Sequence, residues 1–359
     1  MAYSTVPKES KNQINKAGKI LINKNSSVKE IEWARNLADK WRACHAYPLN
    51  TFNVTLRDKV KKFPPEPIVA QRLKRMSTII DKLKRYSAMQ LATMQDIGGV
   101  RAVVGTIDDA YKLAGEYKRQ SLFAHELYNS KDYIDNPRNE DGYRSLHLIY
   151  RYKNDRAPEY DGLLIELQIR TKLQHTWATA VETMGTFLGQ ALKSRQGDQD
   201  WIDFFAITSS AFAHMEGGKL VPRFNNLSKE ETFEAVVQAE EKIKALETMQ
   251  GLSVAADIIV KNIRARKRGW YYHLIILNSL KHTVQIKPYP RNNFEQAVAD
   301  YAKIETTSPE EKIEPVLVSA GPLKELRRAY PNFFLDIKDF GEKVKSIVGE
   351  AKANRKLQP

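Results

Sequence analysis

The chain has 359 residues, 42% hydrophobic and 28% charged, which is ordinary globular usage in a length sufficient for two domains. A lone cysteine, Cys44, excludes an intrachain disulfide and a cysteine-based zinc site, and the polar, lysine-rich N-terminus lacks the apolar stretch of a signal peptide or membrane span. The formal net charge of +14 points to a polyanionic partner, although a merely soluble basic surface gives the same number.

In chain order, a first helix begins at Lys11-Asn12-Gln13-Ile14, and Ser27 with Glu30 opens a second by capping-box spacing. Ile31, Ala34, Leu37, Trp41 and Cys44 form its apolar stripe, so Cys44 reads as core and not as a nucleophile. Between Arg72 and Tyr86 a helix is expected to turn Leu73, Met76, Ile80 and Leu83 inward and Arg72, Arg75, Lys82 and Arg85 elsewhere. Charges on such a face are usually just solvated.

Three strand-like segments follow. In Asp96-Ile97-Gly98-Gly99-Val100-Arg101-Ala102-Val103-Val104 an apolar row of Val100, Ala102 and Val104 is opposed by Arg101, which needs a partner, while the glycines permit close approach of a ligand. In Gly142-Tyr143-Arg144-Ser145-Leu146-His147 and beyond, Leu146, Leu148, Tyr150 and Tyr152 share one face and Ser145, His147 and Arg151 the other. In Leu163 to Thr171, Leu163, Ile165, Leu167 and Ile169 oppose Glu166, Gln168 and Arg170. An exposed strand also alternates. The chemical types argue for more, because an acid, an amide, arginines and a histidine gathered on one surface suit a phosphate-handling site. A helix after Thr171 carries Leu173, Trp177, Val181, Met184 and Leu188 at core spacing, with His175, Thr179 and Glu182 on another face.

These motifs resemble, in order, those of RelA/SpoT-type nucleotide pyrophosphokinases. The matching residues are Arg72-Leu73-Lys74 with Ser77 and Lys82, Asp96 to Arg101, Asp132-Tyr133-Ile134 with Gly142 to His147, and Glu166 to Thr171 with His175 and Trp177. Four ordered motifs are far more specific than one glycine pattern. The resemblance implies transfer of the β,γ-pyrophosphate of ATP to a ribose 3′-hydroxyl. It implies that Arg72 and Arg101 sandwich the adenine, that Lys74, Ser77 and Lys82 follow the phosphates, and that Asp96 and Glu166 hold Mg²⁺. Glu166 is also a candidate base for the 3′-hydroxyl. Tyr143 is expected to offer its ring to the acceptor base, and Arg144, His147, Gln168 and Arg170 to contact acceptor or phosphates, with His175 near the pyrophosphate. The implied protein is cytoplasmic and bacterial or prophage-encoded, without membrane or zinc.

The expected fold is α+β: a mixed β-sheet synthetase core flanked by helices, plus a small C-terminal α+β module of pseudo-zinc-finger-like type. The expected parts are an N-terminal helical region (1–51), the pyrophosphokinase domain (52–220), a helical connector (221–268) opened by Ser228 and Glu231, and a regulatory domain (269–359). In that last part strands are expected at Trp270 to Leu277, His282 to Pro288, Pro315 to Ser319 and Asn332 to Ile337, with helices at Asn292 to Ile304, Pro322 to Tyr330 and after Phe340. A module of this size resembles that of fused toxin–antitoxin (CapRel-like) members. That resemblance implies autoinhibition, an ATP-site plug at Tyr330 and Phe333, and activation by a phage capsid protein in antiphage defence. The acceptor is then the 3′ end of tRNA, with inhibition of translation. The alternative is an alarmone synthetase acting on GDP or GTP, and the third reading a non-catalytic RNA-binding protein. Eligible RNA contacts are Lys59, Lys61 and Lys62, Arg151 and Lys153, and Arg264 to Arg268.

Overall fold

A computed structural model describes residues 3–64, 67–119, 123–188, 192, 197–249, 270–278, 283–290, 292–305, 313–319 and 337–357. Three helices come first: α1 (Lys11–Ile22), α2 (Val28–Cys44) and α3 (Ala46–Val60). Ser10 with Gln13, and Ser27 with Glu30, close reciprocal capping boxes that satisfy otherwise orphaned helix-start donors. Cys44 is fully buried, and burial pushes its thiol up to about 12, which agrees with its reading as core.

Five strands then form one mixed sheet in the order β1-β2-β5-β4-β3. They are β1 (Ile68–Leu73), β2 (Gly98–Val104), β3 (Glu126–Asp132), β4 (Leu146–Arg151) and β5 (Leu164–Thr171). β2 and β5 run parallel, and the other neighbours are antiparallel. Val100, Ala102, Ile165, Leu167, Ile169, Leu148 and Tyr150 are buried on the back face, in one core with residues of α1, α2, α3 and α5 (Ile107–Lys118). Each buried large aliphatic contributes roughly 1.5–3 kcal/mol. A one-residue slip of β5 would turn Ile165, Leu167 and Ile169 outward together, so the register is firmly set.

The front face is polar. Cross-strand pairing aligns Ala70, Arg101, Gln168 and His147 in one row and Arg72, Gly99 and Glu166 in the next. Arg72 therefore stands on a strand, and the following helix, α4 (Met76–Arg85), starts only after it. The six residues of β1 are too few to show a period of their own, and their pairing with β2 decides their conformation.

A second core joins α6 (Lys172–Phe187), α7 (Gln199–Glu216) and α8 (Lys229–Ile243) to a final helix, α10 (Lys338–Leu357). Trp177, Phe204, Phe205, Phe212, Phe233 and Phe340 meet there. The last helix is thus part of the central body, and not of the small C-terminal module as the sequence boundaries imply. At the other end, α3 runs through the expected boundary at 51/52 and shares the core of the sheet. Among the described residues the small unit that remains has three antiparallel strands, β6 (Trp270–Asn278), β7 (Thr283–Pro290) and β8 (Ile313–Ser319), with helix α9 (Phe294–Glu305). β8 lies beside β1, and a cleft between them is lined by Tyr272, Phe294, Tyr301, Arg42 and Arg72 among others. The expected helix to Tyr330, the strand from Asn332, the plug residues Tyr330 and Phe333, and the basic run at 264–268 lie outside the described residues.

His45, at the α2–α3 junction, is buried with its Nδ1 2.7 Å from the Trp41 carbonyl oxygen, and burial drives its imidazole down from 6.5 to about 4. The folded chain keeps His45 neutral while the unfolded chain protonates it, so stability falls as pH drops from about 6.5 towards about 4. Urea unfolding at about pH 7 and about pH 5 should therefore show a stability loss that is roughly 2 kcal/mol smaller in His45→Gln than in the unaltered chain. Equal losses would contradict this origin.

Candidate active site

The front face gathers most of the expected residues, and five of them close a ring of hydrogen bonds. His147 Nδ1 lies 2.8 Å from Glu166 Oε1, and His147 Nε2 lies 2.8 Å from the Tyr143 hydroxyl. Arg170 Nη2 donates to that hydroxyl at 2.6 Å and to Gln168 Oε1 at 3.1 Å, and Gln168 Nε2 donates to Glu166 Oε2 at 2.7 Å. Strand pairing explains the ring, since β4 and β5 set His147 directly opposite Gln168 and Glu166 and Arg170 flank the latter by two residues.

The electrostatics follow from this closure. Burial opposes ionisation of Glu166, but the adjacent His147 outweighs it and holds the carboxyl low. Burial lowers the His147 imidazole, yet Tyr143 and Glu166 on its two nitrogens raise it overall. Burial likewise raises the Tyr143 phenol, and the Arg170 and His147 charges bring it down.

A second cluster stands at the β1–β2 end. Lys74 and Lys82 both reach Asp96 Oδ2, at 3.0 and 2.9 Å. Despite the cost of burial, the two ammonium groups hold the Asp96 carboxyl well below the usual carboxylate range. Asp96 Oδ1 is buried without a hydrogen-bond partner, and the Asp96 charge is near enough to act on Glu166. Two carboxylates with a spare buried oxygen fit Mg²⁺, which takes hard oxygen donors and completes its shell with phosphates and water. Among the described residues no group of three or more His, Cys, Asp or Glu is placed to hold a metal, so substrate oxygens would supply the other ligands.

Gly99 leaves the floor between the clusters low, since a Cβ there would meet nothing nearer than the Glu166 carbonyl at 3.9 Å. Arg101 finds its partner in α6, with Nη1 3.4 Å from His175 Nδ1, and Arg72 Nη1 lies 4.0 Å from Glu182. Ser77 is exposed on the first turn of α4, a position from which a helix start can meet phosphate.

Two expectations need correction. Arg144 faces α7: it is 5% exposed, its Nε donates to Ser209 Oγ at 2.8 Å, and burial lowers its guanidinium to about 10. It is a structural arginine, because the turn at Gly142 directs it away from the front face. Gly142 has φ +77°, and a Cβ there would stand 2.7 Å from Ser209 Cβ. Tyr143, in turn, is only 8% exposed, so its ring is not presented freely to solvent. Guanidinium carbons of Arg138 and Arg170 lie 4.4 and 5.1 Å from its centroid, and the Tyr133, His147 and Trp177 rings stand at steep angles to it.

Residues that the sequence reading missed include Arg138, Asp141 and Glu216. Glu216 at the end of α7 accepts from Thr171 Oγ1 and, at 3.3 Å, from Gln174 Nε2, pinning the β5–α6 junction. Only the charged turn before Gly142 signalled Arg138 and Asp141, and nothing local marked Glu216.

A region found in RelA / SpoT proteins matches residues 71–185. The GTP pyrophosphokinase YjbM of Bacillus subtilis is 30% identical over 154 residues, covering 41% of this chain and 70% of that protein. The GTP pyrophosphokinase YwaC of the same species is 32% identical over 114 residues, 30% of this chain and 52% of the relative. Among solved structures, small alarmone synthetase 1 from Bacillus subtilis bound to its product pppGpp aligns over 52% of this chain and 93% of its own, at 23% identity and TM-score 0.42. The chain belongs to the RelA/SpoT family of nucleotide pyrophosphokinases. No helix among the described residues is long and apolar enough to cross a membrane.

Because Arg144 bonds to α7 and not to the front face, Arg144→Ala should lower stability by about 2–3 kcal/mol while leaving the KM values of the folded enzyme unchanged. Denaturant unfolding and steady-state kinetics check this, and a raised KM at undiminished stability would contradict it.

Proposed function

We propose that the chain transfers the β,γ-pyrophosphate of ATP to the 3′-hydroxyl of GDP or GTP. The observation that carries this reading is the ring through Glu166 and Tyr143 standing across Gly99 from the Asp96, Lys74 and Lys82 cluster. The kinship with two GTP pyrophosphokinases favours a guanine nucleotide over other acceptors.

In the proposed reaction the 3′-oxygen attacks the β-phosphorus, the bond from that phosphorus to the α,β-bridging oxygen breaks, AMP leaves, and the 3′-hydroxyl proton is lost. Glu166, kept ionised by His147, accepts that proton at a carboxylate oxygen. Lys74 and Lys82, now spent on Asp96, turn to the phosphates as these enter. Arg72 and Arg101 flank the adenine, held upright by Glu182 and His175. Bound Mg²⁺ at Asp96 and Glu166 would neutralise phosphate charge.

A second reading, with tRNA as acceptor, draws on the net charge of +14. The surface supports it less. Lys59 and Lys62 pair with Glu116, Lys61 with Asp58 and Arg151 with Glu126. A toxin of the CapRel-like kind, released by a phage capsid protein, belongs to that reading. The position of β8 beside β1, which carries Arg72, supports regulation of ATP entry by the small C-terminal unit in either case.

With ATP labelled in its terminal phosphate, label should pass to GDP or GTP and not to tRNA, and Glu166→Gln should reduce the rate at least a hundredfold with the fold intact. Label on tRNA alone would reverse the acceptor assignment, and full activity of Glu166→Gln would overturn its role. Cutting the chain after α7 would strip α8 and α10 from Phe204, Phe205 and Phe212, so regulation is better tested by Leu317→Arg at the cleft. That change should raise the transfer rate several-fold if the unit restrains ATP entry, and an unchanged rate would count against restraint.

A further inference from the structure

We propose that Glu216 is a positioning residue for pyrophosphate transfer, locking the start of α6 so that His175 and Arg101 on the donor side keep a fixed separation from Arg170 and Tyr143 on the acceptor side. This rests on the reaction proposed above. Thr171 and Gln174 cap α6 reciprocally, the Gln174 amide donating to Thr171 Oγ1 and the Thr171 amide to Gln174 Oε1, each at 3.2 Å. Glu216 accepts from both of these side chains, from the Thr171 hydroxyl at Oε1 and from Gln174 Nε2 at Oε2, the latter at 3.3 Å. Just before this capping pair, Arg170 donates to the Tyr143 hydroxyl at 2.6 Å, and just after it His175 stands 3.4 Å from Arg101. The junction that Glu216 grips is therefore the link between the two halves of the site.

Helix α7 holds the same site at a second point. Ser209, about two turns before Glu216 and so on the same helix face, accepts from Arg144 Nε at 2.8 Å and donates to the Gly142 carbonyl at 2.6 Å. The Gly142 turn is pressed so closely on this helix that a Cβ at Gly142 would stand 3.1 Å from Ala206 Cα. One face of α7 thus fixes both the turn that carries Tyr143 and the junction that carries Arg170 and His175. Folding alone does not call for a carboxylate at this place. The capping pair satisfies its own backbone donors without Glu216, and a negative charge, though it suits the start of α6, opposes the dipole at the end of its own helix. Burial pushes the Glu216 carboxyl upward, against the hydrogen bonds from Thr171 and Gln174 and the nearby Arg144 charge. Local conflicts of this kind gather at functional sites. A carboxylate offers two accepting oxygens in one plane, one for the residue after Arg170 and one for the residue before His175, which no neutral side chain of its length supplies.

The alternative is that Glu216 only stabilises the fold. Steady-state kinetics on the full chain, run below the thermal midpoint of each variant, separate the two. Glu216→Ala should lower kcat about a hundredfold while the KM values for ATP and GDP stay within about threefold, because the binding groups remain and only their separation loosens. Glu216→Gln, which keeps the reach and one accepting oxygen, should recover most of the lost rate. Glu216→Asp, which keeps the charge but is shorter by a methylene, should resemble Glu216→Ala. If Glu216→Ala does not fold, the contrast between the glutamine and aspartate variants decides alone. An unchanged kcat with a lowered thermal midpoint would overturn the positioning role and leave the proposed reaction standing. Raised KM values at unchanged kcat, or full rescue by aspartate with none by glutamine, would also overturn it, by showing that binding or charge is what matters. Absence of transfer by the unaltered chain would overturn the reaction and, with it, the role built on it.

Discussion

The closed ring of Glu166, His147, Tyr143, Arg170 and Gln168 is the constraint on which the front face depends. Each member is buried or nearly so, and an unpaired polar group at such depth costs a few kilocalories per mole. Closure removes most of that cost, leaving Arg170 Nε unpaired, and ties each side chain to two neighbours. Glu166 thereby gains a permanent reason to be ionised, and Tyr143 is held to a single ring orientation. A site that must place an acceptor hydroxyl in line with a phosphate profits from such rigidity, because the geometry is set before substrate arrives.

The cluster opposite works by exchange. Asp96 neutralises two lysines that an ATP polyphosphate would attract, and its second oxygen is left without a hydrogen bond. In the proposed reaction, substrate entry would redistribute existing pairs instead of creating new charge in a buried place, which would limit the desolvation cost. Gly99 keeps the floor between the two clusters clear, and the back of the same strands is bound into an apolar core that holds the register. The chemistry of one face is thus positioned by the packing of the other.

Much of this was legible in residue order. The alternation of Leu163 to Ile169 against Glu166 to Arg170 foretold both the face and its occupants, and the capping residues Ser27, Glu30, Ser228 and Glu231 marked true helix starts. What escaped lacked a local signal. β1 is short and takes its conformation from β2, β3 is an exposed edge strand, and α7 is buried on nearly all sides and so shows no stripe. Arg144 was misread because strand alternation does not extend through the Gly142 turn, where φ is positive. The role of the last helix in the central core depends on contacts more than a hundred residues away, which no window of sequence displays.

The C-terminal unit meets β1 at the strand that carries Arg72. The central claim, however, concerns the chemistry of the front face. It is tested most directly by following ATP and GDP by phosphorus NMR as the full chain reacts. The account predicts AMP appearing in step with a new diphosphate ester on the nucleoside acceptor. Release of ADP with inorganic phosphate, or of AMP with free pyrophosphate regardless of acceptor, would contradict it.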